Sequence, residues 1–270
     1  MSDEPLKFLS TSRLAKALAV DGKALFSLLS EQGWIEHVND QWRLTAQGEF
    51  HGGQYQHSDK YGDYVVWPES VVESPVLLKL EGLMVSATKL AELFGSSAAI
   101  MNLLLAHLGW IEKDQRGWML TDLGSRLGGE AHSSKQGFFV LWPAAIRQQP
   151  LFQKALKRLL AEDGPSLDGF TCRNVLQQKV CNWLYLHGLV NAKDHALPGQ
   201  EFLTADFYLP QRQVYIDCWD VNDSDIPLSV KMEKHAYYQQ MGLKHVELST
   251  DDVKHLDDVI AQKLLRFGVQ

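Results

Sequence analysis

Residues 204–220 read TADFYLPQRQVYIDCWD. Two runs rich in aromatic and β-branched side chains, Phe202–Leu209 and Gln213–Trp219, flank the turn residues Leu209-Pro210-Gln211-Arg212. That pattern predicts two paired strands. Each arm carries one aspartate among strand-forming apolar residues, Asp206 at the end of the first strand and Asp217 inside the second. An unpaired carboxylate in such surroundings is costly. Side chains opposite one another on an antiparallel pair lie within contact reach. The two carboxylates are therefore expected to converge.

Helices surround this hairpin. Cys172–Leu186 reads as a helix with apolar Val175, Leu176, Val180, Trp183 and Leu184, ended by Gly188. Residues 227–241 read as another, stopped by Gly242. Lys244–Leu248 is a further strand, and Thr250 or Asp251 caps a last helix running to about Arg266. Helix, hairpin, helix, strand, helix is an α/β order. Ahead of it a helix carrying Lys154, Lys157 and Arg158 ends near Asp163-Gly164-Pro165. Gly164-Pro165-Ser166 is the clearest boundary in the chain.

The first half repeats itself with an offset of 76 residues. Leu14, Ala15, Gly33, Trp34, Trp42, Leu44, Thr45, Gly48 and Gly52 recur as Leu90, Ala91, Gly109, Trp110, Trp118, Leu120, Thr121, Gly124 and Gly128. Trp67-Pro68 recurs 75 residues on as Trp142-Pro143. Within each copy, Ser10 or Ser12, like Ser86, stands where a helix N-cap belongs. A second helix follows, about Lys23–Gln32 and Ala98–His107, with Gly33 and Gly109 as its left-handed stops. Two short strands come next, Trp34–His37 and Gln41–Leu44 in the first copy. A third helix starts at the Thr45 or Thr121 cap. Helix, turn, helix, hairpin is the order of a winged helix. The tryptophans read as core and wing packing before they read as base-stacking platforms. The second helices carry few side chains of the kind that read base edges. A protein-docking role for the repeats stays open beside nucleic-acid binding.

Two resemblances rest on these residues. The repeat is similar to the C-terminal domain of phage antirepressors of the KilAC type, through Leu14-Ala15, Leu28-Leu29, Gly33-Trp34, Trp42, Leu44-Thr45, Gly48 and the matching second set. That family's modules are thought to bind nucleic acid or protein partners. The run TADFYLPQRQVYIDCWD, followed by KHAYYQQMGLKHVELS, resembles the core of PD-(D/E)xK (restriction-endonuclease-like, very-short-patch-repair-like) nucleases over residues 170–265. The resemblance puts Asp206 on the first acidic position and Asp217 on the second. Lys234 matches a catalytic lysine moved onto the following helix. Gln177 falls where the family has a helical glutamate, Asp217 where glutamate is commoner, and Trp219 where the unmoved lysine would be.

What this resemblance implies is a Mg²⁺ or Mn²⁺ site built by Asp206, Asp217 and the Cys218 carbonyl. The metal would polarise the scissile phosphate and activate a water. Lys234 would orient or deprotonate that water, or stabilise the crowded phosphate, and Gln177 would hold a water. His235, His245 and His255 read as surface residues, since no HExxH or CxxC-type spacing supports zinc.

Composition limits the alternatives. The 270 residues carry a formal net charge of −7, so phosphate contacts must come from a local patch. Three cysteines without CxxC spacing, an acidic N-terminus without a signal pattern, and no long apolar run point to a cytoplasmic protein off the membrane, and the resemblances imply a bacterial or phage-related one. The expected organisation is a winged-helix-like repeat over 1–75, a second over 76–148, a helical linker over 149–169 and an α/β nuclease-like domain over 170–270. The expected function is metal-dependent hydrolysis of nucleic acid, DNA first, with a protein partner or a homodimer left open. The alternative is an inactive nuclease fold acting as a DNA-binding regulator or a protein-interaction adaptor.

Overall fold

A computed structural model describes residues 7–18, 20–60, 62–74, 77, 84–162, 164–219 and 228–269. It is a mixed α/β structure in two compact units, Met1–Phe152 and Gln153–Gln270. The expected boundary at 75/76, the helix end at Asp163 and the helix start at 227 lie outside the described residues. Among the described residues no single helix is long and apolar enough to cross a membrane.

The first unit runs through one element order twice. The first copy is β1 (Phe8–Ser10), α1 (Thr11–Leu18), α2 (Gly22–Glu31), β2 (Ile35–Val38), β3 (Gln41–Leu44), α3 (Ala46–Phe50), β4 (Gln54–Ser58) and β5 (Gly62–Pro68). The second is β6 (Met84–Ser86), α4 (Ala87–Leu93), α5 (Ala98–His107), β7 (Ile111–Asp114), β8 (Gly117–Leu120), α6 (Asp122–Arg126), β9 (Glu130–Ser134) and β10 (Gly137–Pro143). Single 3₁₀ turns, Glu69–Glu73 and Ala144–Gln148, close the copies.

Local chemistry explains these elements. Ser10, not Ser12, takes the Arg13 amide at the start of α1. Asp21 and Ser97 cap α2 and α5. Gly33 and Gly109 stop those helices at φ +69° and +73°. The hydroxyls of Thr45 and Thr121 accept from Gly48 N and Gly124 N, each at 3.1 Å. They also donate back to the Trp34 and Trp110 carbonyls, at 3.1 and 2.9 Å. One threonine thus caps the short helix and ties it to the residue that follows the previous helix.

A second hairpin was not expected from the sequence. β4 pairs with β5, and β9 with β10. All but one residue of β4 and all of β9 are exposed, so these edge strands lack the alternation that reveals a half-buried strand. β5 and β10 also pair antiparallel with β1 and β6, which brings the two ends of each copy together. In the second copy Phe138 meets Gly117 in a parallel bridge that joins the two hairpins into one sheet.

Each copy buries a tryptophan pair at its centre. Trp34 and Trp67 stand 5.6 Å apart, Trp110 and Trp142 5.8 Å. All four are buried, which agrees with the packing role read for Trp34 and Trp110, whereas Trp42 and Trp118 are half-buried. The copies differ at one polar contact. Trp67 Nε1 donates to Thr11 Oγ1 at 3.0 Å, but the matching residue is Ala87, and the buried Trp142 Nε1 has no partner. Ala87→Thr is expected to raise stability by about 1 kcal/mol by supplying that acceptor. Thermal unfolding measures it, and an unchanged or lower midpoint would count against the pairing.

The second unit begins within α7 (Pro150–Leu160) and continues with α8 (Val175–Leu186), β11 (Ala192–Leu197), β12 (Gln200–Leu209), β13 (Val214–Trp219), α9 (Leu228–Met241), β14 (Lys244–Ser249) and α10 (Leu256–Leu265). The sheet order is β11-β12-β13-β14, with two antiparallel ladders and a parallel one between β13 and β14. Buried Asn182 fastens the end of α7 to α8. Its Nδ2 donates to Arg158 O at 2.7 Å and its Oδ1 accepts from Leu167 N at 2.7 Å.

Three expectations are corrected in this unit. α8 starts at Val175 behind the Asn174 cap, which leaves Cys172 in the preceding loop. β11 is an additional strand. Its polar sequence AKDHAL carries no strand signal, and the ladder to β12 recruits it. Asp206 lies in the body of β12, not at its end.

Candidate functional site

The ladder between β12 and β13 runs from Leu209–Val214 to Phe207–Ile216 and stops there. Beyond it the two strands part. The Asp206 carboxylate fills the gap and accepts from the Cys218 amide through Oδ2 at 2.6 Å. Its Oδ1 receives the Arg173 guanidinium at 2.5 Å and Gln177 Nε2 at 3.1 Å. Both come from the N-terminal edge of α8, where Gln177 Oε1 accepts from the Arg173 amide at 2.8 Å.

Asp217 is fully buried on β13. Lys234 reaches down from α9 and donates to Asp217 Oδ1 and, at 2.7 Å, to the Thr204 carbonyl. On the other side His245 of β14 donates from Nε2 to Asp217 Oδ2 at 2.9 Å. The His245 ring stacks on Tyr238 with centroids 3.8 Å apart. Lys234 also lies over the Trp219 ring at 5.0 Å.

The structure therefore brings together Asp206, Asp217, Lys234 and Gln177, with Cys218 contributing its amide to Asp206. Sequence reasoning missed Arg173 and His245. No spacing rule marks an arginine before a helix cap. His245 sits one register step from the strand position opposite Ile216, and that parallel pairing appears only in three dimensions. His235 and His255 are exposed, as expected, whereas His245, also read as a surface residue, is largely buried because β14 turns its ring onto Asp217.

Burial and charge act on the two carboxyls in opposite directions. For Asp206 burial dominates and pushes the carboxyl up, against the Arg173 charge and the Cys218 amide. For Asp217 burial also pushes upward. The His245 hydrogen bond and the Lys234 charge outweigh it and hold the carboxyl below its ordinary range.

A divalent cation of the Mg²⁺ or Mn²⁺ kind needs free oxygen ligands. Here every oxygen of both carboxylates already accepts from a protein donor. Two permanent cations, Arg173 and Lys234, balance the two anions. Gln177 presents its amide nitrogen, a donor, to Asp206. Among the described residues no group of three or more His, Cys, Asp or Glu side chains is placed to hold a metal ion. As arranged, these residues do not fit such an ion.

Beside Asp217 a depression is lined by His235, His245, Val246, Glu247, Lys263, Arg266 and Phe267. Lys263 donates there to Glu247 O at 2.7 Å and pairs with Asp252 Oδ2 at 3.2 Å, so its charge is already matched, and Arg266 stands in the wall with the Glu247 side chain.

No family model, curated protein or solved structure matches this chain.

Proposed function

We propose that the chain is a nucleic-acid-binding protein with a nuclease-like C-terminal domain that holds phosphates without cutting them. On this reading the second unit has the restriction-endonuclease-like PD-(D/E)xK arrangement. The two repeats are winged-helix-like modules that dock it onto nucleic acid or a protein partner. One observation carries the binding side of the reading: every oxygen of Asp206 and Asp217 is committed to a protein donor. A metal entering there for hydrolysis would have to displace Arg173 or Lys234 from its carboxylate. Phosphate attraction is assigned to Arg266 in the depression next to the pair, since Lys263 there is held by Asp252.

Metal-dependent phosphodiester hydrolysis is the second reading. It is favoured by the meeting of Asp206, Asp217, Lys234 and Gln177 in one buried place. Buried ionic clusters give uncertain stability, so their presence points to a role beyond packing.

One experiment separates the two. Binding of labelled single- and double-stranded DNA is followed across a salt series, and cleavage is followed with Mg²⁺, Mn²⁺ or EDTA. The proposal expects salt-sensitive binding without cleavage. Arg266→Ala should weaken it and lower the salt slope by about one. Metal-dependent cleavage that Asp206→Ala abolishes would overturn the proposal in favour of hydrolysis. An absence of binding at every salt concentration would overturn it in favour of a protein-interaction adaptor.

A further inference from the structure

The two repeats share one element order but close differently. In the second, β8 and β10 meet through Gly117 and Phe138. That approach needs glycine, since a Cβ on Gly117 would stand 2.3 Å from the Phe138 carbonyl oxygen. A Cβ on Gly137 would stand 1.9 Å from the Arg116 carbonyl oxygen. The first repeat has Gln41 at the position of Gly117. Its β3 and β5 stay in separate sheets, and Gly62, the match of Gly137, has nothing within 4 Å of a built Cβ. A cleft of about 190 Å³ is left between them.

Three rings line this cleft: Phe26 of α2, Trp42 of β3 and Tyr64 of β5. Phe26 and Trp42 lie 5.2 Å apart with their planes tilted by 32°. Asp63 and Gln41 stand with them in the lining. Asp63 accepts from His57 Nδ1 at 2.7 Å through Oδ1, and its Oδ2 has no partner among the described residues. No lysine or arginine among the described residues lines the cleft.

The second repeat shows what such rings take. Lys113 lies over the Trp118 ring at 4.7 Å, and Arg116 over the Phe138 ring at 4.9 Å. The face of an aromatic ring attracts a cation, and here the repeat supplies both cations itself. At the matching positions the first repeat has His37 beside Trp42, Asp40 in place of Arg116 and Asp63 in place of Phe138. Residues 1–75 carry six basic and eleven acidic side chains, whereas residues 76–150 carry seven and six. The open cleft is thus lined by rings and edged by a carboxylate, and its cation has to come from outside.

We infer that the cleft between β3 and β5 binds an arginine side chain of a partner protein. A cavity of ~150 Å³ takes a benzene-sized ring, so one of about 190 Å³ suits a single flat guanidinium. That group is planar, stacks on aromatic faces and presents a fork of donors that a carboxylate accepts in pairs. Trp42 and Phe26 supply the faces, Asp63 the carboxylate and Gln41 an amide oxygen. A nucleic-acid strand suits the place less, because its phosphates would approach an acidic repeat. The site shares no residue with the Asp206 and Asp217 pair, so it does not depend on what that pair does.

The test follows the tryptophan indole N–H signals of the full chain by NMR, with the Trp42 signal assigned from Trp42→Phe. Short glycine-serine peptides carrying one arginine, one lysine or one citrulline are titrated in. The expected result is a Trp42 shift with the arginine peptide, a smaller one with lysine and none with citrulline, which keeps the shape without the charge. Asp63→Asn should weaken arginine binding about tenfold. Gln41→Gly with Asp63→Phe rebuilds the seam of the second repeat and should abolish binding while the thermal midpoint is kept or raised. A citrulline peptide that shifts Trp42 as far as the arginine peptide would overturn the inference, as would silence from every peptide at millimolar concentration. A lysine peptide that binds as tightly would refute the choice of a guanidinium. Adenosine monophosphate moving Trp42 where the arginine peptide does not would reassign the cleft to a nucleobase.

Discussion

Asp217→Ala is expected to destabilise the second unit by about 3–5 kcal/mol, the cost of breaking a buried pair on one side. The reason lies in what remains. Lys234 is buried and would be left with only the Thr204 carbonyl and the Trp219 face for company. His245 would lose its acceptor as well. Urea unfolding of the full chain, with the transition of each unit followed separately, measures the loss. The double replacement Asp217→Leu with Lys234→Met should recover much of it, because both charges leave together. A single replacement that costs less than about 1 kcal/mol would show that the pair is solvated.

Acid gives a second reading of the same pair. Asp217 is held below its ordinary range, so its contribution is complete above the unfolded value of about 3.9. It is lost as pH falls through the lower folded value. Asp206 is pushed up by burial and acts in the opposite sense. It weakens the fold at neutral pH, and that penalty fades as the carboxyl takes up a proton. Loss of the Arg173 pair on acidification should therefore precede loss of the Lys234 pair.

How far the site could be read in advance depends on what kind of contact each residue makes. Asp206 and Asp217 announce themselves because a carboxylate between strand-forming residues demands a partner. Lys234 was placed by the resemblance, which puts the catalytic lysine on the helix after the hairpin. Gln177 was placed by resemblance, and it does touch Asp206, but as a donor. Arg173 and His245 were missed because their contacts depend on a loop path and a parallel register. Neither leaves a period in the sequence. The repeats were legible for a different reason. Their matching residues are those whose contacts tolerate no substitute, such as the threonine caps and the tryptophan pair. β4 and β9 are exposed edge strands whose side chains answer to solvent, and β11 is a half-buried edge strand of mostly polar residues, so no alternation records them.

Gly48→Ala should destabilise the first repeat by about 1–3 kcal/mol or more, the cost of overpacking a close-packed site. Gly48 lies inside α3, where an ordinary glycine-to-alanine change would stabilise by about 0.8–1 kcal/mol. The opposite sign is expected because a Cβ there would stand 2.0 Å from the Trp34 carbonyl oxygen and 2.7 Å from Leu44 Cδ1. That carbonyl cannot retreat freely, since it accepts from the Thr45 amide at 3.2 Å and faces the Thr45 hydroxyl at 3.1 Å. Gly124 repeats the geometry, with its Cβ 2.1 Å from the Trp110 carbonyl oxygen, and Gly124→Ala should behave alike. Gly22, at the first position of α2, has nothing within 4 Å of a built Cβ. Gly22→Ala is therefore the matched control, expected to be neutral or stabilising. Thermal unfolding of the three variants beside the wild type decides the matter. If Gly48→Ala and Gly124→Ala raise the midpoint as Gly22→Ala does, close approach of the short helix to the tryptophan backbone is not what holds each repeat together.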